Sequence, residues 1–285
     1  MAYTVQAAFD AYYQAINLEG DYRTTANNRK EHLLSLLGNK FEVLDSFGSG
    51  SLERFTALKE TADVDAFLVL HYGKHVKGKT PAEVLQSVRD ALGTSKNNVR
   101  KNGQAVTLYY TAWPNADIVP VSRVTDSNGN VTHYNVPDMN SGNWIPSDPK
   151  KHSADVAAKV SACGPNFRKL VKMMKHWSLR HGNFLQSYHV EVMAIRAFEG
   201  DLSDLPWHAF QFFDNCLGLT AGILWHGLAN ADDYLSWTDR NEVRKRLAWT
   251  ADKARAAWYA GTQNDAKTAI TTWKQIYGDE FPAYG

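Results

Sequence analysis

Only two cysteines, Cys163 and Cys216, occur in the 285 residues. They are too few for a disulfide framework or a cysteine-rich zinc site, and the chain reads as a protein of a reducing, cytoplasmic setting. No apolar run reaches the roughly 18 residues that cross a bilayer, so no membrane role is expected. The opening MAYTVQAAFDAYYQ lacks the basic region and long apolar stretch of a signal peptide. Charge of either sign is nearly balanced: 31 Lys and Arg against 30 Asp and Glu leave a net +1. Global attraction to nucleic acid is therefore absent, which argues against a long RNA acceptor. Repeats and low-complexity tracts are missing. His71, His133, His152, His176, His181 and His189 show no metal-ligand spacing and read as structural or surface residues, His189 as a hydrogen-bonded helix residue.

What is present suffices for one large domain or two smaller ones: 44% of residues are hydrophobic. Residues 4–38 carry apolar residues at helical spacing and close with Gly38. FEVLDSFGSGS is extended and ends in a Gly/Ser turn, and SLERFTAL reads as a short helix. DVDAFLVLHY is a buried strand. TPAEVLQSVRDALGTS is a helix opened by a Thr cap, a Pro and Glu83. QAVTLYYTAW and ADIVPVSRV are strands, and Asn128-Gly129 signals a hairpin between VPVSRV and VTHYNV. PDMNSGNWIPSDPKKH reads as a long connector, and from about residue 151 every periodic segment is helical. The expectation is an α+β protein: a mixed-sheet lobe with its N-terminal helix over 1–150 and an all-helical lobe over 151–285.

Asp63 and Asp65 lie two residues apart at the start of a strand and so point the same way. Like charges on one face raise each other's pKa, and a divalent cation relieves that; carboxylates suit Mg²⁺. Asp117 opens a second apolar strand and can join them. Three carboxylates on two paired strands can hold two Mg²⁺ ions, or Mn²⁺ in their place, for attack by a hydroxyl with pyrophosphate leaving. Asp-x-Asp is common, and Asp117 after Pro114-Asn115 is equally a turn residue. The order of features is more specific. Gly48-Ser49 follows a strand and opens a helix, a turn whose amides bind phosphate, and Asp-x-Asp follows about fourteen residues on.

The segment FGSGSLERFTALKETADVDAFLVL resembles the core of the polymerase-beta-type nucleotidyltransferases. Within these it is most similar to the bacterial cyclic-oligonucleotide synthetases related to cyclic GMP-AMP synthase and oligoadenylate synthetase, the DncV-like nucleotidyltransferases (CD-NTases). KMMKHWSLRHGNFLQSYHVEVMAIRAF resembles the segment in which a Lys contacts the donor triphosphate and a Ser-Tyr pair follows; Lys175, Ser187 and Tyr188 take those positions. WIPSDPKKH and AITTWKQIYGDEFP are similar to family patterns as well. Many members carry Lys or Arg two residues before the Thr after the Gly-Ser turn; here the stretch reads SLERFTA, with Arg54 nearby.

The resemblance implies a polymerase-beta-like lobe followed by a helical lobe like the oligoadenylate synthetase C-terminal domain. It implies Asp63, Asp65 and Asp117 as catalytic metal carboxylates, and Gly48, Ser49, Lys175, Ser187 and Tyr188 as substrate contacts. Nucleoside triphosphates, ATP among them, are then the substrates, and a cyclic di- or trinucleotide for antiphage signalling the product. Zinc-dependent DNA sensing is not expected, since the His-Cys-Cys-Cys set is absent. Some members are conjugated to proteins through a C-terminal Gly, a role open to Gly285 on a short unstructured tail. Independently of family, Arg168, Lys172 and Lys175 share one helix face and form a basic stripe expected to face the cleft. Tyr188 suits base stacking, Asn166 is a candidate base reader, and Trp113, Trp144 and Trp177 are candidates for a base pocket. A linear-product transferase and an inactive nucleotide-binding module are the alternatives.

Overall fold

The computed structural model describes residues 3–18, 22–59, 61, 63–93 and 99–285. The expected helix over 4–38 is two helices, α1 (Val5–Ile16) and α2 (Tyr22–Gly38); residues 19–21 of that expectation lie outside the described residues. Strand β1 (Val43–Ser49) leads into α3 (Gly50–Glu53), a single turn and shorter than SLERFTAL suggested. Then come β2 (Val64–Leu70), α4 (Pro81–Ala91), β3 (Val99–Asn102), β4 (Ala105–Leu108), β5 (Ala116–Thr125), β6 (Val131–Pro137) and β7 (Trp144–Ser147). The Thr80–Glu83 capping box that opens α4 forms in both directions; Thr94 and Ser95 of that expected helix lie outside the described residues. The Asn128-Gly129 turn joins β5 to β6, with Gly129 at φ +84° and Asp126 accepting from the amides of Asn128 and Asn130.

The strands form one mixed sheet in the order β1-β2-β5-β4-β3, and the second half of β5 carries β6 and then β7. Its β2–β5 pair is parallel and the other pairings are antiparallel. The connector expected at 137–152 is shorter than read. Trp144–Ser147 pairs with β6 as β7, and α5 (Pro149–Cys163) starts immediately after its cap Asp148. Punctuation by Gly and Pro was the signal there, and it marks an edge strand as readily as a loop.

The helical part continues through α6 (Asn166–Arg180), α7 (Ser187–Ala197), α8 (Leu205–Leu219), α9 (Trp237–Thr262) and α10 (Ala266–Tyr277). It is not wholly helical: β8 (Trp225–His226) and β9 (Ala229–Asn230) make a hairpin too short for any periodicity to reveal. The sheet core gathers Val64, Ala66 and Leu68 of β2 and Ala116 and Ile118 of β5 under α2 and α4. The alternate residues of both strands, Asp65 and Phe67, Asp117 and Val119, point to the opposite face, as a pleat requires.

Although counted by sequence with the first lobe, α1 buries its apolar face in the helical core. Phe9 packs edge-on against Trp273 at 4.9 Å and Phe281 at 5.4 Å. The expected free tail is tied down as well, since Phe281 is fully buried and Tyr284 meets Tyr3 edge-on. Cys163 and Cys216 are free thiols in the interior, and no described helix is long and apolar enough to cross a membrane.

Phe9 is fully buried among these rings. Phe9→Ala is therefore expected to cost about 3–5 kcal/mol in urea unfolding. A loss below 1 kcal/mol would show that α1 does not belong to the helical core.

Candidate active site

The register of the sheet assembles a row of polar residues across four strands. Ser49 of β1 pairs with Asp65 of β2, Asp65 pairs with Asp117 of β5, and Asp117 pairs with Thr107 of β4. Because neighbouring strands lie about 4.8 Å apart, the two carboxylates are held as close neighbours by backbone hydrogen bonding. Asp63 sits just before β2, close enough for its charge to act on Asp65 and for that of Asp117 to act on it. Thr107 donates its hydroxyl to Asp117 Oδ1 at 2.5 Å.

Gly50 stands at the head of this row with φ +74°, and a Cβ there would lie 1.6 Å from Asp65 Oδ2. Only glycine lets the turn pass that close to the carboxylate. The bared amides of the turn are thus placed beside the acid, where a phosphate would meet both. At Gly48 the space for a Cβ is filled by Glu53 Oε2 at 2.9 Å.

Burial and mutual repulsion act on these acids. Burial, reinforced by Asp117 and opposed by Arg54, pushes Asp65 up to about 7. Burial and Asp117 raise Asp63, against hydrogen bonds from Asn115. Burial raises Asp117, against the Thr107 hydroxyl. Among the described residues no three His, Cys, Asp or Glu side chains form a closed metal cage. The donor set fits Mg²⁺ nonetheless: that ion takes one or two carboxylates plus substrate phosphates and water rather than an all-protein cage.

A cavity of about 410 Å³ opens at one end of the row: Ser49 and Asp65 line it, whereas Gly48, Asp63, Thr107 and Asp117 lie outside its lining. Ser49, Gly50, Arg54 and Asp65 line it from the sheet side, and His152, Gln186, Tyr188 and His226 from the helical side. Tyr188 packs edge-on to His152 at 4.7 Å, and burial raises its phenol to about 12. Sequence reasoning therefore placed Ser49, Asp65 and Tyr188 on one cavity. Ser187 is exposed at the first position of α7, beside the rim but outside the lining.

The basic stripe does not face the cavity. Lys175 is 5% exposed and donates to Glu191 Oε1 at 2.7 Å and Thr56 Oγ1 at 3.0 Å, in the interior. The α6 face meets the loop after α3 and the end of α1: Lys175 is absorbed by Glu191 and Thr56, whereas Arg168 and Lys172 line a separate recess. Asn166 is likewise not a base reader: its amide donates to the Leu202 carbonyl, away from the cavity. Trp177 is core, bonded to Thr250, while Trp144 donates to the Lys79 carbonyl and Trp113 packs against Tyr22; none lines the cavity.

The residue the sequence reading missed is Glu191. Fully buried, it accepts from Arg54 Nε at 2.8 Å, Lys175 at 2.7 Å, His152 Nε2 at 2.8 Å and the Thr56 hydroxyl. Burial would raise it, but Lys175, the His152 bond and Arg54 hold it well below the carboxylate range. Its one sequence signal is position, four residues after Ser187 on the same helix face. His152, read as an ordinary histidine, is buried beside Glu191 and lines the cavity. His189 is as expected: it bonds Tyr234 at 2.9 Å, and burial lowers it to about 4.

Solved structures share this architecture. E. coli MS115-1 CdnC with ATP superposes with a TM-score of 0.76 over 97% of this chain and 98% of that one, at 18% identity. Bradyrhizobium diazoefficiens CdnG with GTP gives 0.71 over 95% and 97%, at 14%. Vibrio cholerae DncV, a cyclic AMP-GMP synthase, gives 0.62 over 84% and 69%, at 14%. A "Probable cyclic nucleotide synthase" of Bacillus cereus (strain VD146) is 20% identical, covering 100% of this chain and 99% of that protein. The fold is thus that of the CD-NTase nucleotidyltransferases. Residues 3–159, more than half of the chain, match the Second Messenger Oligonucleotide or Dinucleotide Synthetase domain, and the chain belongs to that family of enzymes, which condense nucleotides into cyclic products.

Two outcomes follow. Because the folded-state pKa of Asp65 lies above its ordinary 3.8, the folded protein binds more protons there than the unfolded one, and its stability falls as pH rises between those values. Asp65→Asn is expected to melt higher than the parent in EDTA. The gap should grow from about pH 4 to about pH 7 and then level off; a pH-independent gap would show that Asp65 is not perturbed. Glu191→Gln strands buried cations and is expected to cost about 3–5 kcal/mol. Pairing it with Lys175→Met should recover part of that in urea unfolding, and strictly additive losses would deny the coupling.

Proposed function

We propose that the chain condenses nucleoside triphosphates, ATP among them, into a cyclic di- or trinucleotide messenger in a Mg²⁺-dependent reaction that serves antiphage signalling. The observation that carries this reading is the register of Asp65 with Asp117 beneath a glycine turn that only a Cβ-less residue allows. When bound, two Mg²⁺ ions, or Mn²⁺, supply charge neutralisation at the triphosphate and acidify the attacking hydroxyl. Asp63, Asp65 and Asp117 are the oxygen donors that would hold them.

The chain's own groups do the rest. Ser49 and the amides around Gly48 and Gly50 seat the phosphates. Arg54, tied through Nε to Glu191, lines the cavity and answers triphosphate charge there. The Thr107 bond fixes the rotamer of Asp117, so that this carboxylate takes the proton of the acceptor hydroxyl in a set direction. Tyr188 offers a ring for a base at the helical wall. Ser187 contributes from the rim, whereas Lys175 acts indirectly, holding Thr56 and the Glu191 that anchors Arg54. In each turn the acceptor hydroxyl forms a bond to an α-phosphorus, the α–β anhydride bond breaks and pyrophosphate leaves; a second turn on the reoriented linear intermediate closes the ring. Since the carboxylates meet only phosphates and hydroxyls common to all nucleotides, base choice belongs to the helical wall.

The test is incubation with labelled triphosphates and Mg²⁺, followed by phosphatase. Phosphatase-resistant product is expected from the parent chain. A new oligonucleotide whose mobility shifts on phosphatase treatment, through loss of its terminal phosphates, marks a linear transferase, and triphosphate left unconverted marks a binding module. Asp65→Asn and Asp117→Asn are expected to lower all products by several orders of magnitude, about 10³-fold or more, whereas Tyr188→Ala should change the product spectrum. In melting curves above pH 7, MgCl₂ should raise the parent's Tm and leave Asp65→Asn unmoved.

A further inference from the structure

A second cavity, of about 320 Å³, lies on the far side of the turn that carries Gly50. The segment 50–57 is the partition. Gly50 and Arg54 face the catalytic cavity, whereas Leu52, Phe55 and Ala57 line the second one. The remaining walls come from α1, α2 and α6, and they bring in Arg23, Arg168, Lys169 and Lys172.

These cations are arranged rather than scattered. Lys172 is 5% exposed, and its amine donates to Asn17 Oδ1 at 2.5 Å. Burial, together with Lys175, Arg168 and Arg23, lowers it to about 8. Phe55 adopts φ +61°, a region a bulky residue rarely enters, and its half-exposed ring carries two guanidiniums. Arg23 lies 3.3 Å from the ring centroid and Arg168 4.8 Å. Stacking leaves the edge of the Arg23 guanidinium to bond, and on Arg168 the nitrogens other than Nε, which donates to the Arg54 carbonyl. The acids nearby are peripheral: Asp10 is 3.8 Å from Lys169, and Glu53 acts on Arg23 only through the field. Among the described residues no carboxylate pairs with Arg23, Arg168 or Lys172 at ion-pair distance. Gathering three cations around a recess with a buried amine is unfavourable unless an anion enters it.

We propose that this second cavity binds a small phosphate-bearing molecule, held by Arg23, Arg168 and Lys172, and that its occupancy is felt at the catalytic turn. Transmission is short. Arg168 Nε donates to the Arg54 carbonyl at 3.0 Å, so an anion that draws Arg168 inward acts on the same segment that sets Arg54 and Gly50. The recess favours a small ligand over a duplex, because a phosphodiester backbone reaches surface cations and not an amine lodged between α1 and α6.

Isothermal titration of the full chain in EDTA tests this, with inorganic pyrophosphate and, separately, ADP as probes. One saturable site is expected, weakened about tenfold or more by Lys172→Gln and by Arg23→Gln, each of which removes a charge-assisted contact. Equal affinities for the two probes identify phosphate alone as the recognised group; tighter ADP with the same dependence identifies a nucleotide. Arg23 is only half-buried and carries the test should Lys172→Gln not fold. Absence of saturable binding of both probes, or affinities that neither substitution moves, overturns the proposal. So does a short DNA duplex that binds through Arg23 and Lys172 while both small probes fail.

Discussion

A single carboxylate without access to water ties the two halves of this protein together. Glu191, on a helix of the second lobe, receives Arg54 and Thr56 from the first lobe and His152 and Lys175 from its own. An isolated buried charge of this kind is prohibitive, and four donors make it tolerable. The geometry is therefore mutually conditional. Arg54 stands at the cavity because Glu191 is ionised, and Glu191 is ionised because both lobes deliver their cations to it. Hydrophobic burial supplies most of the stability, but it is directionless and fixes no relative orientation. The ion cluster does, and with it the distance between the carboxylate row and Tyr188.

The two acidic centres of the molecule are opposites. Around Glu191 positive donors exceed the one negative charge, and the carboxylate is held down. Around Asp65 acids face acids with Arg54 as the opposing charge, and the carboxylate is pushed up. Arg54 faces both. One centre is structurally complete as folded, whereas the other lacks positive charge that something bound must bring. Exposure separates them as well, since Glu191 is fully buried and Asp65 partly open to the cavity.

Much of this was legible in the sequence because it depends on local rules. Alternation fixed the shared direction of Asp63 and Asp65, the Thr80–Glu83 pattern capped α4, and Asn128-Gly129 turned β5 into β6. The order of turn, strand acid and second strand acid carried the family resemblance. What escaped was set by long-range contact. That β2 and β5 pair in parallel, with Asp65 level with Asp117, is not written in either strand. Lys175 and Lys172 share a helix face, as their spacing required, yet one meets an acid and the other a cavity, because α3 and α1 cover that face unequally. Trp144–Ser147 is a strand through its partner β6 alone, and Asn166 reads as a polar candidate until the Leu202 carbonyl is seen beside it.

The parallel register of β2 and β5 bears on how readily this site could drift over evolution. The interval between Asp65 and Asp117 is measured by rungs of main-chain bonding, which no side-chain exchange in the core alters. Repacking beneath the sheet can soften the scaffold or change how tightly α2 and α4 clasp it, and still leave that interval as it was. The helical wall has no such ruler: its side chains reach the cavity from helix ends and a hairpin of two two-residue strands. On the proposed function, the chemistry is thus anchored to the most conservative dimension a protein possesses, and the choice of substrate to the most easily revised.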